Sequence, residues 1–165
     1  MPQSRGAKPR TVIDLRGGPR AAIPTVHAGV LMRSRLEARW AGVLDRERIG
    51  WAYEPKTLRL GSTRYIPDFW LPGQRTWLEV KGPHWERFEK TQALARAGGQ
   101  VLVATASGVC WRVPRSGKPS QVEVQVGRCG TCGTTALGVP SRGTLACRAP
   151  GCGARGVRPE AVLGW

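Results

Sequence analysis

The stretch RYIPDFWLPGQRTWLEVKG, Arg64 to Gly82, limits the fold more than any other segment of this chain. Two runs rich in aromatic and branched residues flank a Pro72-Gly73 break, the pattern of a β-hairpin. With Gly73-Gln74 as a two-residue loop, glycine at the first position suits a type II′ turn. Trp70 then faces Trp77, and Asp68 faces Glu79. Strand alternation sets Glu79 and Lys81 on one face, with Lys81 diagonal to Asp68. Opposed Cβ atoms lie about 5 Å apart, where like charges destabilise a strand pair. Two such carboxylates need a cation between them, which either Lys81 or a divalent metal supplies. An ordinary cross-strand salt bridge on a surface hairpin is the plainer reading of the same three charges.

Around this hairpin the chain divides by composition. Residues 1–28 hold Arg5, Lys8, Arg10, Arg16 and Arg20 among glycine and proline, which predicts a flexible basic arm with a short strand at Thr11–Leu15. Residues 29–113 carry mixed helical and strand patterning. In SRLEARWAGVLDRER the apolar residues Leu36, Trp40, Val43 and Leu44 fall at helical spacing, with Ser34 as N-cap and Gly50 as the stop. Short strands follow in WAYEP, TLRL, TRYIPDFWL and TWLEVKG. A second helix is expected from about Trp85 to Ala97, ended by Gly98-Gly99, and then the strands QVLVAT and VCWRV. This order gives an α/β or α+β layer. PRSGKPS, 114–120, reads as a linker to a module at 121–165.

Charge bounds the partners. Lys plus Arg number 26 against 11 Asp plus Glu, a net charge of +15. Such a surplus favours polyanions, DNA first, with salt-dependent binding. No apolar run of spanning length and no basic amphipathic helix argues for a membrane partner. The N-terminus lacks an apolar signal core, so the expected location is cytoplasmic, on the nucleoid, and not secreted.

PDF at Pro67–Phe69 and EVKG at Glu79–Gly82, with ten residues between Asp68 and Glu79 and a glutamate-bearing helix ahead of them, resemble the PD-(D/E)xK nuclease superfamily. The resemblance covers about residues 33–104. It is nearest in shape to phage endonuclease I-type Holliday-junction resolvases and transposon-end endonuclease subunits. It implies an α/β restriction-endonuclease-like core, a mixed sheet flanked by helices, and DNA cleavage with Mg²⁺ or Mn²⁺. Carried over, Asp68 and Glu79 match the metal ligands, Val80 the backbone carbonyl ligand and Lys81 the catalytic lysine. Glu37 matches the helix glutamate that completes the metal site directly or through water. Carboxylates suit a hard cation, which polarises a phosphoryl group and acidifies bound water, while an amine orients or deprotonates that water.

Glu37 has a second reading, because Ser34-Arg35-Leu36-Glu37 is a capping-box pattern in which the glutamate caps its own helix. It shares a helical face with Trp40, Ala41 and Leu44, the core side. Arg33, Arg35, His84, Lys90 and Gln92 are candidates for DNA contact. One active site per chain implies a homodimer where both strands are cut. A non-catalytic DNA-binding adaptor is the competing class.

The last 40 residues bear a separate signal. Cys129 and Cys132 in CGTCG, and Cys147 and Cys152 in CRAPGCG, stand fourteen residues apart and fit a tetrahedral Cys₄ zinc ribbon. Glycine after each pair suits a tight knuckle turn. A disulfide scaffold needs an oxidising compartment, which nothing in the sequence indicates. Without histidine or an open position, the zinc is expected to be structural, and so small a module depends on its metal to fold. Arg128, Arg142, Arg148, Arg155 and Arg158 either grip phosphates or leave the ribbon to dock a protein partner or a second copy. Cys110 is expected as a buried apolar filler.

Overall fold

A computed structural model describes residues 22–83, 85 and 87–164. The strand expected at Thr11–Leu15 lies outside the described residues. In chain order the elements are β1 (Thr25–His27), β2 (Val30–Met32), α1 (Arg35–Arg46), β3 (Ala52–Tyr53), β4 (Leu58–Leu60) and β5 (Thr63–Tyr65). Then come β6 (Phe69–Leu71), β7 (Thr76–Lys81), α2 (Glu89–Arg96), β8 (Gln100–Thr105), β9 (Cys110–Val113) and β10 (Ser120–Val122). The C-terminal part contributes β11 (Gln125–Arg128), β12 (Thr135–Gly138), β13 (Leu145–Ala146), β14 (Arg155–Val157) and β15 (Ala161–Val162). The chain is mixed α/β, mostly strand, with two helices among the described residues.

A six-stranded sheet in the order β10-β9-β8-β7-β6-β3 forms the centre. β7 and β8 are parallel, joined through α2, and the other neighbours are antiparallel. Alternation along β7 sends Leu78 and Val80 to one face and Trp77 and Glu79 to the other. On the first face Phe69, Leu71, Leu78, Leu102 and Ala104 pack with Trp40, Val43 and Leu44 of α1. Trp40 is fully buried and donates its indole N–H to the Thr105 carbonyl, 3.2 Å away. On the second face Trp77, Val101, Val103 and Val113 pack with Leu94 and Ala95 of α2 and with Tyr65.

The hairpin keeps the expected register but not the expected turn. Trp70 pairs with Trp77, and Leu71 with Thr76 is the last pair, so Pro72 to Arg75 make a four-residue loop. Two overlapping turns start at Leu71 and Pro72: Gln74 N–H bonds the Leu71 carbonyl at 3.2 Å, and Arg75 N–H bonds the Pro72 carbonyl at 3.3 Å. The left-handed residue is Arg75 at φ +50°, while Gly73 is not left-handed, so the type II′ turn is excluded. Gly73 is small for another reason: a Cβ there would sit 3.2 Å from Thr134 Cγ2 of the ribbon. Gln74 is buried and donates to the Thr135 carbonyl at 2.6 Å. The loop is where the C-terminal module docks.

That module is continuous with the sheet. β10 pairs with β9, so position 120 belongs to the large sheet and the expected boundary at 121 passes through one of its strands. Val124, Val126, Leu137 and Leu163 join the α1-side core, and Thr135 Oγ1 donates to the Glu47 carbonyl at 2.9 Å. Beyond them β11 pairs with β12 and β15, and β13 with β14. The N-terminal boundary also differs. β1 and β2 pair through Ala28-Gly29, both at positive φ, a type I′ turn that straddles position 28. His27 Nε2 lies 2.6 Å from Asp45 Oδ2 and ties this hairpin to α1. α2 begins four residues later than expected, because Trp85 and Phe88 are spent in an aromatic cluster with Trp111.

Candidate active site and metal centre

Four charged side chains meet at the hairpin: Arg33 from ahead of α1, Asp68 from ahead of β6, and Glu79 and Lys81 from β7. The residue after Pro67 leads into β6, and the Asp68 carbonyl accepts from the Glu54 N–H at 2.8 Å, which fixes the backbone beside β3. Its carboxylate turns to β7, where Oδ2 accepts from the Val80 N–H at 2.7 Å. Oδ1 meets Arg33 Nη2 at 2.8 Å. Glu79 receives Lys81 Nζ on Oε1 at 2.7 Å and the Tyr65 hydroxyl on Oε2 at 2.5 Å. Asp68 is 4% exposed and Glu79 6%, so neither charge is relieved by water.

Glu37 performs the capping role and faces the same cluster. Its amide donates to Ser34 Oγ at 3.1 Å, and Ser34 Oγ donates to Oε1 at 2.8 Å. Oε2 accepts from the Arg33 N–H at 3.0 Å and the Tyr53 hydroxyl at 2.5 Å. Burial pushes the Asp68 carboxyl up to about 7, helped by the charges of Glu79 and Glu37 and opposed by the Val80 N–H and Arg33. Burial first, then its bond to Glu37, drives the Tyr53 hydroxyl up to about 12. Tyr65 is raised by burial and by Glu79, so both tyrosines stay neutral donors to these carboxylates.

Of the candidates for DNA contact, Arg33 lies at the site, shared between Asp68 and Glu54, whose Oε1 is 2.5 Å from the guanidinium. Arg35 is exposed at the start of α1; on α2, Lys90 is exposed and Gln92 half-buried. None of these three has a recorded bond to the carboxylates. His84 lies outside the described residues. Tyr53, Glu54 and Tyr65 are site residues that sequence reasoning missed. Only the left-handed φ of +43° at Glu54 sets that position apart, and it has no sequence signature.

The cysteines form the second site. Sγ of Cys129 is 3.7 Å from Cys152 Sγ, and Cys132 Sγ is 3.6 Å from Cys147 Sγ; all four lie within 4.8 Å of one another. A disulfide would bring a pair to about 2.05 Å. A tetrahedron of sulfurs at the zinc–thiolate distance of about 2.3 Å has edges of about 3.8 Å, so the spacing fits a single zinc ion. Each knuckle closes as its glycine requires. Gly133 is at φ +72° and bonds the Cys129 carbonyl at 2.8 Å, and Gly153 is at φ +61°. The Thr134 hydroxyl and amide bring the Cys132 thiol down to about 6, and the Cys132 and Thr131 amides lower Cys129, so this knuckle favours thiolates. Among the described residues no three carboxylates converge in the same way. Cys110 is buried in β9, and burial pushes its thiol up to about 12, as an inert filler requires.

No helix among the described residues is long and apolar enough to cross a membrane. No family model, no curated protein and no solved structure matches this chain.

Proposed function

We propose that this protein is a metal-dependent DNA endonuclease that hydrolyses phosphodiester bonds at the hairpin, with its ribbon held by a structural zinc ion. One observation carries the reading: Asp68, just ahead of β6, and Glu79 on β7 are both buried, with the Asp68 carboxylate bonded to the Val80 N–H at 2.7 Å and Lys81 bonded to Glu79 at 2.7 Å. A surface salt bridge would leave its acids in water. The donor set suits a hard cation: oxygens only, two carboxylates side by side, each oxygen with one recorded donor and a lone pair to spare. Mg²⁺ or Mn²⁺, when bound, supplies Lewis acidity and a more acidic water. Asp68 and Glu79 would hold it, with the Val80 carbonyl as a backbone ligand. Lys81 Nζ, ion-paired with Glu79, orients the attacking water, whose proton leaves to a phosphate oxygen or to solvent. Glu37 already accepts three protein donors, so it acts as a positioning residue through water. Arg33, with 59% of its side chain exposed, has room to leave Asp68 for a phosphate oxygen.

A binding adaptor is the second reading, favoured by the ion pairs that Arg33 and Lys81 make with both acids. Four-way junction, flap, linear duplex and supercoiled plasmid, each with Mg²⁺ or Mn²⁺, separate the two. The endonuclease reading expects cleavage of at least one, reduced about 10²-fold or more by Lys81→Ala and abolished by Asp68→Asn. Equal DNA binding by wild type and variants, with no cutting by any, supports the adaptor. Cuts confined to the junction define a resolvase; cuts at a fixed duplex sequence define a site-specific nuclease. A homodimer of a cytoplasmic, nucleoid-associated protein accounts for double-strand cuts.

A further inference from the structure

A groove of about 970 Å³ lies between the hairpin and the second cysteine loop of the ribbon, away from the groups bonded to the carboxylates. Its floor includes Trp70 and Trp77, a cross-strand pair with ring centroids 4.7 Å apart and planes tilted by 47°. Lys56 Nζ stands 5.8 Å over the Trp77 ring. Arg75 enters from the hairpin loop and Arg148 from the ribbon. A second groove of about 470 Å³ opens from the first, sharing Gly98, Gly99, Gln100 and Arg148, and adds Arg112 and Arg115.

The lining has a charge pattern that packing does not explain. Five cations face the two grooves and no carboxylate does. Among the described residues none of the five has a recorded carboxylate partner, although Arg33, Arg46 and Lys81 each have one. Cys147 and Cys152 of the thiolate site border the first groove, and the cations outnumber that charge; a run of cations beside aromatic rings is the chemistry that holds a nucleic-acid backbone while bases stack. A duplex keeps its base faces inside the helix and offers none to Trp70. We infer that these grooves are a track for an unpaired strand of nucleic acid, with a base stacked on the half-buried Trp70, which the buried Trp77 backs, and phosphates on Lys56, Arg75 and Arg148.

The Trp77 end of the track neighbours the acids along β7. Trp77, Glu79 and Lys81 alternate onto one face of β7, and Trp70 and Asp68 share the matching face of the neighbouring segment. Trp77 is therefore one side-chain repeat, about 7 Å, from Glu79. The link to cleavage rests on the endonuclease reading, whereas the binding stands apart from it. Together they define the substrate class as DNA in which a single strand leaves a duplex, as at a flap, a frayed end or a junction.

The test is fluorescence anisotropy of the full chain, zinc retained and Mg²⁺ withheld. The ligands are a labelled oligothymidylate and an abasic strand of the same length and charge. Thymidylate is expected to bind about tenfold more tightly, the size of one stacked base. Trp70→Leu brings thymidylate to the abasic level, and Trp70→Phe restores part of the difference. Lys56→Gln with Arg148→Ser, both at exposed positions, weakens both strands alike and reduces the salt slope by about 1.4. Equal binding of the two strands, a base preference that survives Trp70→Leu, or competition by polyglutamate equal to that by thymidylate overturns the track. If Trp70→Leu loses zinc or folds poorly, photocrosslinking of a bromouracil strand to wild type decides: adducts on Trp70 or Trp77 support the track, adducts elsewhere overturn it. Asp68→Asn separates the two readings, since loss of cleavage with the base preference kept supports both. Base preference with no cleavage by wild type removes the nuclease alone, and cleavage without base preference removes the track alone.

Discussion

The cysteine cluster and the carboxylate cluster each gather groups that repel one another when ionised, but they do so by different means. In the ribbon, short turns bring four sulfurs within 4.8 Å of one another. At the hairpin, Asp68 and Glu79 lie eleven positions apart and Glu37 comes from α1, and the donors Arg33, Lys81, Tyr53 and Tyr65 take up their oxygens. A closed thiolate cage of this spacing suits one permanent ion, which would then hold the fold together. A carboxylate cluster padded with protein donors keeps its shape without an ion.

The largest expected effect tests the closed half. Cys147→Ser, or a strong chelator, should release zinc and unfold the ribbon at a cost of roughly 5 kcal/mol or more, since the binding free energy of such sites is folding free energy. Because Val124, Val126, Leu137 and Leu163 belong to the core under α1, the loss should also lower the melting temperature of the whole chain. Zinc content and calorimetry check both. Full zinc loss with an unchanged melting temperature would mean that the two halves are independent.

Next is the pH dependence of the open half. Asp68 titrates at about 7 in the folded chain, against about 3.9 when unfolded. The folded state therefore binds its proton more tightly. The stability associated with that proton is complete below about pH 4 and is lost as pH rises toward 7. Acidifying from about pH 8 to about pH 5.5 should raise the stability of wild type relative to Asp68→Asn by roughly 2 kcal/mol. Parallel pH profiles for the two proteins would place the repulsion elsewhere.

Backbone contact inside the ribbon gives a smaller effect. A Cβ on Gly127 would lie 2.0 Å from the Arg158 carbonyl oxygen, so Gly127→Ala must push β11 away from the segment ahead of β15. Chemical denaturation should show a loss of roughly 1–3 kcal/mol, with zinc retained. The smallest effect is Ser34→Ala, which removes the α1 cap and should cost about 1 kcal/mol. It also strips one donor from Glu37, so a rate change beyond the stability change would show that the cap positions Glu37.

What the sequence made legible follows the same division. The knuckle glycines, the Ser34 cap and the pairing of Trp70 with Trp77 are local, set by residues a few positions apart, and the structure has each of them. Tyr53 and Tyr65 reach their acids across sixteen and fourteen positions, and no spacing rule links a tyrosine hydroxyl to a carboxylate at such range. The hairpin loop misled for a related reason. Pro72-Gly73-Gln74 has turn chemistry, but Gly73 and Gln74 answer to Thr134 and Thr135, sixty residues on. The linker reading of 114–120 missed that β10 completes a sheet edge, because a three-residue strand leaves almost no periodicity to detect.

Manganese binding tests most directly whether the molecule holds two kinds of metal site. Electron paramagnetic resonance of free Mn²⁺, titrated with zinc-loaded wild type and zinc-loaded Asp68→Asn, reports the open site without depending on a substrate. Saturable Mn²⁺ uptake by wild type, lost in Asp68→Asn with zinc content unchanged, is the predicted result. Absence of saturable uptake by wild type, or equal uptake by Asp68→Asn, would contradict a metal site at the hairpin.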